Sequence, residues 1–192
     1  MTLKEDTEDD KFSDFLQEYQ IRNLIRKYSD YIRYPIKMEV TKSRKKEDSD
    51  EYESYTDVET LNSMVPIWQR AKKDVTEAEY NSFYQDKFYD FTKPLKTIHT
   101  SAEGTISYKA LLYIPGKAPY DFYTKDFKRG LQLYSSGVMI MESCEDLLPE
   151  HFRFVRGVVD SQDLSLNISR EMLQKSRQLT IIARNIEKKI KS

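Results

Sequence analysis

Cysteine, glycine and histidine are scarce in this sequence, and their scarcity excludes several kinds of site. The 192 residues include one cysteine, two histidines and five glycines. The single cysteine, Cys144, cannot form an internal disulfide, which is typical of proteins in a reducing compartment such as the cytoplasm. These residues are too few for a zinc site built from the usual cysteine and histidine ligands. The glycines form neither of the common phosphate-binding loops and no G-x-S-x-G nucleophile elbow.

The sequence also lacks an excess of either charge and any long apolar run. Its 31 lysines and arginines nearly balance 32 aspartates and glutamates, which gives a formal net charge of −1. A balanced surface argues against a dedicated nucleic-acid-binding protein, because such proteins usually carry a basic excess. No window approaches the roughly 18–20 apolar residues that span a bilayer, and residues 1–10 do not resemble a signal peptide. We therefore expect a soluble, cytoplasmic protein without a nucleic-acid or membrane partner.

The length suits one domain, or one domain with a small satellite. The last residues, Ile186 to Ser192, lie in a helical pattern that has no glycine or proline stop. The first four residues, Met1 to Lys4, read as an extended fragment rather than a natural start. Both ends therefore favour a piece of a longer polypeptide.

Apolar residues at helical spacing predict three helical regions. The first covers residues 12–32, as one helix or two short consecutive ones, and Pro35 ends it. The second follows a capping box at Thr76–Glu79, in which the threonine hydroxyl and the glutamate carboxylate bond amides of the first turn. The third carries an apolar stripe composed of Leu179, Ile182, Ala183, Ile186 and Ile190.

Strands are predicted between these helices. They cover residues 36–40, Ser107–Ile114, Leu131–Met141 and Val155–Val159. Gly157 in the last strand marks a bulge or a close backbone approach. Residues 41–54 are highly charged and contain few apolar groups, so we expect a mobile loop there. Strands in the middle of the chain, with helices before, between and after them, predict an α/β (α+β) sandwich.

Cys144 and His151 offer one possibility for self-contained chemistry. They lie seven residues apart and could form the thiol–imidazole pair of a hydrolase. Anionic neighbours raise the pKa of a thiol and oppose a reactive thiolate, and four carboxylates flank Cys144: Glu142, Glu145, Asp146 and Glu150. The residues therefore favour a small buried thiol near a surface histidine.

Arg170 is the most informative candidate for function. It follows polar residues that come directly after an apolar strand and lead into a helix-like run, a common place for functional side chains. A guanidinium is permanently charged and directs two donors toward phosphate oxygens. Gln174 would share its helical face, and Asn167 could add a second neutral hydrogen bond. The alternative is a local salt bridge to a carboxylate such as Glu171, which residue physics alone favours.

Four segments carry a resemblance to a known family. The most specific is FVRGVVDS at residues 154–161, which runs on into LNISREMLQ at 166–174. The others are IRKYSDYI and YPI within 25–36, LNSM and PIW within 61–68, and APYD at 118–121. These segments span nearly the whole chain, which thereby resembles the ninety-kilodalton heat-shock chaperones in their bacterial form.

The resemblance implies that residues 1–192 form the larger, N-terminal part of a middle domain, a sandwich like the second domain of ribosomal protein S-five, with helices on a mixed sheet. The ATPase and dimerisation domains would lie outside this chain. In the family, the arginine that matches Arg170 reaches the γ-phosphate of ATP held by the N-terminal domain, and the residues that match Asn167 and Gln174 support it. ATP and Mg²⁺ would serve the full-length protein. This chain alone should hold no cofactor or metal and should not be an enzyme.

The same resemblance implies partners. Trp68 matches a family tryptophan implicated in client contact, and an exposed indole on a mobile loop would be an adaptable anchor. The alternative for Trp68 is a partly buried core residue. The loop with Ala118 and Pro119 matches a region linked to crosstalk with the ATPase domain. Expected partners are client proteins and the chaperone's own two other domains, with this chain alone a monomer and the full-length protein a homodimer. The competing hypothesis is a purely structural interaction domain without a catalytic contribution.

Overall fold

The chain divides into two compact units, Met1–Met64 and Val65–Ser192. The computed structural model describes residues 4–7, 11–45, 52–119, 122–125, 127–164 and 177–192. Within these ranges, no helix is both long and apolar enough to cross a membrane. The described ranges also contain no group of three histidine, cysteine, aspartate or glutamate side chains placed to hold a metal ion.

The first unit combines a helical stretch with a two-stranded antiparallel sheet. The helical stretch consists of a 3₁₀ turn at Phe12–Leu16, helix α1 at Glu18–Leu24 and a π-helical turn at Ile25–Ser29. The prediction of short consecutive helices over residues 12–32 is therefore confirmed. Strands β1 (Lys37–Lys45) and β2 (Tyr52–Thr60) pair in register over nine residues each.

Most of the charged stretch at residues 41–54 is strand, so the prediction of a mobile loop is wrong for 41–45 and 52–54. Residues 46–51 lie outside the described residues. Opposite charges meet across the two strands: Lys42 Nζ donates to Asp57 Oδ2 at 2.8 Å, and Arg44 Nε donates to Glu53 Oε1 at 2.6 Å. Such cross-strand pairs stabilise a sheet, and composition alone does not reveal which charges will face each other.

The second unit is built on a five-stranded mixed sheet. Its strands are β3 (Lys96–Ala102), β4 (Tyr108–Ile114), β5 (Leu131–Ser135), β6 (Val138–Cys144) and β7 (Arg156–Asp160). They lie in the order β3-β4-β7-β5-β6. The β5–β7 pair is parallel and the other pairs are antiparallel. Strand β7 is therefore central and is bordered by β4 and β5.

Helices cover both faces of this sheet. On one face, α3 (Arg177–Ile190) buries its apolar stripe against alternate residues of the strands, among them Leu112, Leu133 and Val159. On the other face, α2 (Glu77–Phe88) packs its aromatic side chains on the sheet, with the ring centroids of Tyr84 and Tyr113 5.0 Å apart. The predicted sandwich and the predicted last helix are confirmed.

Helix α2 begins at the predicted capping box. Glu79 N donates to the Thr76 hydroxyl at 3.3 Å, and Thr76 N donates to Glu79 Oε2 at 2.8 Å. These two bonds satisfy amides that have no partner inside the helix. The helix ends at Phe88, followed by Tyr89 in the left-handed region with φ 53°.

The region Leu131–Met141 is two strands rather than the single predicted strand. Strands β5 and β6 are joined by Ser136 and Gly137, whose φ values are 50° and 82°. Positive φ at both central residues is typical of the tight hairpin turn that matches the twist of its strands. Strand β3 is not predicted because Ile98 is its one buried apolar residue and its other residues are mostly polar.

Gly157 permits the close backbone approach that its position in a strand predicts. A Cβ at Gly157 would lie 2.5 Å from the Leu111 carbonyl oxygen and 2.9 Å from Leu112 Cα on β4. Both atoms belong to the backbone, so neither could move aside easily. Gly157 therefore allows β4 and β7 to pair tightly at the centre of the sheet.

Candidate functional site

Arg170, Asn167 and Gln174 lie outside the described residues, and their predicted roles remain predictions. They belong to residues 165–176, called here the arginine segment, which connects the end of the sheet to helix α3. The described site therefore consists of the residues that border the arginine segment, which are Ser161–Leu164 on one side and the start of α3 on the other.

Ser161 and Asp163 hold the chain to the sheet after β7 ends. Ser161 is buried; its N donates to Tyr134 O at 3.1 Å, and its hydroxyl donates to Ser107 O at 2.7 Å. Asp163 Oδ2 accepts from Ser107 N at 2.6 Å, and Asp163 N donates to the Ser161 hydroxyl at 3.3 Å. The chain is thus bonded to β5 and to the start of β4 just before the arginine segment.

Leu164 and Gln178 fix the two borders of the arginine segment. The Leu164 side chain is buried in the core beneath α3, and its carbonyl oxygen accepts from the Ser135 hydroxyl at 2.5 Å. On the other border, Gln178 Nε2 of α3 donates to Asp163 O at 3.2 Å. The arginine segment therefore starts at a residue bonded to β5 and ends at a helix bonded to Asp163, and a rigid scaffold is the usual support of functional loops.

Trp68 is fully buried, so the prediction of an exposed indole is wrong. It lies in a 3₁₀ turn, Ile67–Gln69, called here the Trp68 turn. Its ring packs between Phe83 of α2 and Tyr134 of β5, with centroid distances of 5.8 and 5.2 Å. The indole has a large apolar area, and it covers part of the sheet face that α2 leaves open. Its proposed client contact remains untested.

Polar groups from three strands hold the Trp68 turn on the sheet. His99 Nε2 of β3 lies 3.2 Å from Trp68 O, and Lys109 Nζ of β4 donates to Gln69 O at 2.9 Å. On β7, Asp160 Oδ2 accepts from Trp68 Nε1 at 3.1 Å and from Gln69 Nε2 at 2.8 Å. Backbone and side chains of the turn are therefore both bonded to the sheet.

His99 can make both contacts as a neutral imidazole. A carbonyl oxygen only accepts, so Nε2 carries the hydrogen toward Trp68 O, and in the neutral ring Nδ1 accepts from the Tyr80 hydroxyl, 2.6 Å away. Burial lowers the pKa of His99, and the nearby charges of Lys109 and Lys72 lower it further. The imidazole thus bridges α2 and the Trp68 turn, and its lowered pKa favours the uncharged form.

Asp160 is a buried carboxylate that sequence reasoning missed. In the sequence it is only the first polar residue after an apolar strand, a position that does not reveal which donors it will meet. Oδ2 receives two hydrogen bonds, whereas no described residue donates to the buried Oδ1. Leaving a buried acceptor without a donor costs about 1–3 kcal/mol. The location of Asp160 therefore needs an explanation beyond packing.

An aromatic cleft of about 470 Å³ opens between the end of α2 and the loop that contains Pro119. Tyr89 and Phe91 line it with side chains that are 86% and 93% exposed. Arg156 and Asp90 also line the cleft and place opposite charges in it. Exposed large aromatic side chains beside a concave surface are typical of a contact site for another protein.

The environment of Cys144 contradicts the possibility that Cys144 and His151 form the thiol–imidazole pair of a hydrolase. The thiol is fully buried, and burial with the neighbouring Asp146 raises the pKa of Cys144 to about 11. His151 is exposed on the surface. A buried, protonated thiol is inert toward substrates in solution.

Comparison with known proteins agrees with this fold and with the resemblance in sequence. The family model described as Hsp90 protein matches residues 14–56 and 51–191. The chain belongs to the Hsp90 family. It is 59% identical to the chaperone protein HtpG of Clostridium acetobutylicum and 56% identical to that of Alkaliphilus oremlandii. Each alignment covers 100% of this chain and 31% of the relative, so the chain spans about a third of these Hsp90-family chaperones.

A solved structure with a similar fold is the middle domain of a putative heat shock protein of Plasmodium falciparum. It is 35% identical with a TM-score of 0.55, and the match covers 65% of this chain and 46% of that one. The chain is therefore an α/β chain of the Hsp90 middle-domain type. The assignment of both compact units, residues 1–192, to the middle domain stays a prediction.

Proposed function

We propose that this chain supplies Arg170 to the γ-phosphate of ATP bound by the separate N-terminal domain of an Hsp90-family chaperone. The observation that carries the proposal is the pair of fixed borders of the arginine segment, at Leu164 and at Gln178. A segment whose two borders are held by hydrogen bonds to a rigid scaffold can present side chains to a neighbouring domain. The sequence similarity to chaperones of the HtpG type supports the same function.

An arginine supplied by another domain accelerates phosphoryl transfer because it neutralises charge on the transferring group. It acts only when the two domains come together, so a domain movement controls hydrolysis. Asn167 and Gln174 would hydrogen bond within the same segment. The N-terminal domain would hold Mg²⁺ and ATP, and this chain alone would not hydrolyse ATP.

The proposal predicts that Arg170→Ala in the full-length chaperone lowers kcat for ATP hydrolysis by about 10³-fold. The affinity for ATP should stay nearly unchanged, because the contact to the γ-phosphate forms mainly in the closed state. Steady-state turnover and nucleotide titration measure the two quantities. Arg184→Ala is a matched control, since Arg184 is an exposed arginine on α3, outside the arginine segment.

Unchanged ATP turnover in Arg170→Ala would contradict the catalytic role of Arg170. The competing hypothesis, a purely structural interaction domain, would then remain. A second measurement separates these functions. Association of this chain with the isolated N-terminal domain should require a non-hydrolysable ATP analogue if Arg170 contacts the γ-phosphate. Equal association with and without the analogue would favour the structural domain.

Client binding is the second part of the proposed function. Direct contact between a client and Trp68 would require the Trp68 turn to leave the sheet, because the indole is fully buried. Tyr89 and Phe91 of the aromatic cleft offer apolar surface without such a change. We further propose a cytoplasmic location, a homodimer for the full-length protein and a monomer for this chain alone, with neither nucleic acid nor membrane as a partner.

A further inference from the structure

We propose that the aromatic cleft binds extended client segments in which apolar side chains stand next to carboxylates. The cleft can have this role only if the chain binds client proteins, the second part of the proposed function. The occupant is a stretch of unfolded polypeptide, recognised by its apolar side chains and by its negative charge. The backbone of Tyr89, the support of Phe91 and the charge of Arg156 each favour this occupant.

Tyr89 has a backbone conformation that a tyrosine rarely adopts. It directly follows α2 with φ 53° and ψ 36°, in the left-handed region that helix ends usually fill with glycine. A residue with a Cβ is strained there, and the Tyr89 side chain gains little packing in return, since it is 86% exposed. The fold alone would therefore favour glycine at this position. An exposed ring kept on a strained backbone at the rim of a cleft points to a contact with another molecule.

Phe91 is exposed on a backbone that hydrogen bonds hold in place. Gln85 Nε2 of α2 donates to Phe91 O at 2.9 Å, and Thr92 N, the next amide, donates to Asp90 Oδ1 at 2.9 Å. The Phe91 ring itself is 93% exposed. An aromatic side chain on a fixed backbone loses little conformational freedom when it binds, and such rings often anchor protein contacts. Phe91 is therefore suited to hold an apolar side chain of an extended segment.

Arg156 gives the cleft a positive charge whose hydrogen-bond donors are open. Its guanidinium lies over the Phe127 ring, 5.0 Å from the ring centroid. Stacking on an aromatic face leaves the N–H groups in the guanidinium plane open to a carboxylate. Arg129 and Arg153 of the same unit are ion-paired with glutamates, whereas Arg156 forms no ion pair with any residue that the structure describes. A carboxylate from a bound segment could therefore pair with Arg156.

Asp90 is the one acidic residue among the described residues that line the cleft, and its oxygens already have donors. Oδ2 accepts from the Tyr84 hydroxyl, and Oδ1 accepts from Thr92 N and from the Thr92 hydroxyl. Two cations, Arg156 and Lys117, line the same cleft. The positive excess attracts an acidic segment and disfavours a basic one. Charge complementarity therefore selects acidic apolar segments from among the unfolded chains that the apolar walls could accept.

Titration of this chain with two short labelled peptides tests the charge preference. One peptide carries phenylalanine and leucine among aspartates, and the other has asparagine in place of every aspartate. At low salt we expect fluorescence anisotropy to give about threefold tighter binding of the aspartate peptide. Arg156→Gln should bind the two peptides equally. Arg184→Gln is the matched control, because it removes an exposed arginine of α3 outside the cleft and should keep the preference.

Variants of the aromatic walls separate binding from stability. Tyr89→Gly relieves the strained backbone, so the melting temperature should stay nearly unchanged while the peptide binds about threefold more weakly. Phe91→Ala should weaken binding by about tenfold. Tyr19→Ala removes an exposed ring outside the cleft and should bind like wild type. The proposal is overturned if Tyr89→Gly and Phe91→Ala both keep wild-type affinity, or if wild type binds the two peptides equally.

An unfolded protein distinguishes a failure of the cleft from a failure of client binding. The full-length chaperone should bind a reduced, carboxymethylated protein, and the double variant Tyr89→Gly with Phe91→Ala should bind it more weakly. If wild type binds no unfolded protein, the proposed client binding itself fails. If wild type and the double variant bind equally well, only the role of the cleft fails. Retained peptide binding with lost association to the isolated N-terminal domain would identify that domain as the occupant and would also overturn the proposal.

Discussion

At the scale of single residues, His99 links the stability of the second unit to pH. The neutral imidazole contacts Trp68 O and the Tyr80 hydroxyl, and burial lowers the pKa of His99 below its usual value of 6.5. The charged groups that lower it further are Lys109 and Lys72. When the pH falls below about 6.5, the unfolded chain takes up a proton that the folded chain resists, and stability is lost.

We therefore predict that the melting temperature of this chain falls between pH 7.5 and pH 5.5. Fluorescence of Trp68, the single tryptophan of the sequence, can follow unfolding. His99→Gln should reduce that pH dependence, because the amide does not titrate. His151→Gln is the matched control, since it replaces the other histidine of the chain, which is exposed. An equal pH dependence in wild type and His99→Gln would contradict the prediction.

Local chemistry made some residues predictable and others not. The capping box at Thr76 and Glu79 was predictable because both partners lie within one helical turn. The burial of Trp68 and its bond to Asp160 were not, since 92 residues separate the two side chains. Contacts over such a distance depend on the order of the strands, which no short pattern encodes.

At the scale of elements, the β1–β2 hairpin shows how charge can support a strand. Composition predicted a loop for residues 41–54 because apolar groups are few there. In the structure, Arg44 instead lies directly opposite Glu53, and Arg44 Nε donates to Glu53 Oε1 at 2.6 Å. The turn at Ser136 and Gly137, in contrast, has a local signal in the sequence. A serine–glycine pair favours a turn, and it could have divided the strand predicted over Leu131–Met141 into two.

Reversing the charge of Arg44 tests the contribution of this pair. Arg44→Glu places two carboxylates opposite each other, which destabilises a sheet. We expect faster hydrogen exchange at the amides of residues 42–45 and 52–55, by up to about fivefold, since exposed pairs contribute little. The double variant Arg44→Glu with Glu53→Arg should restore slow exchange. The pair would be shown irrelevant if the single reversal left exchange unchanged.

At the scale of the whole molecule, the two units differ in how much they bury. The main core of the second unit comes entirely from its own residues, with α3 packed on the sheet. In the described part of the first unit, only Val40 and Asn62 are buried, whereas Leu16 and Tyr19 are 70% and 68% exposed. A two-stranded sheet with so small a core is at best marginally stable in water.

This difference predicts how the two units behave when they are separated. Residues 65–192 should fold alone and unfold in a single transition, because a unit with its own core is an independent domain. Their melting temperature should lie within about 5 °C of that of the whole chain, a shift equivalent to about 1 kcal/mol. Trp68 should keep the emission of a buried indole, since its ring contacts with Phe83 and Tyr134 and its hydrogen bond to Asp160 lie within this unit. Residues 1–64 alone should show no cooperative transition by circular dichroism.

If residues 65–192 instead gave the emission of an exposed indole, the second unit would depend on the first, and the core beneath α3 would not be sufficient for folding.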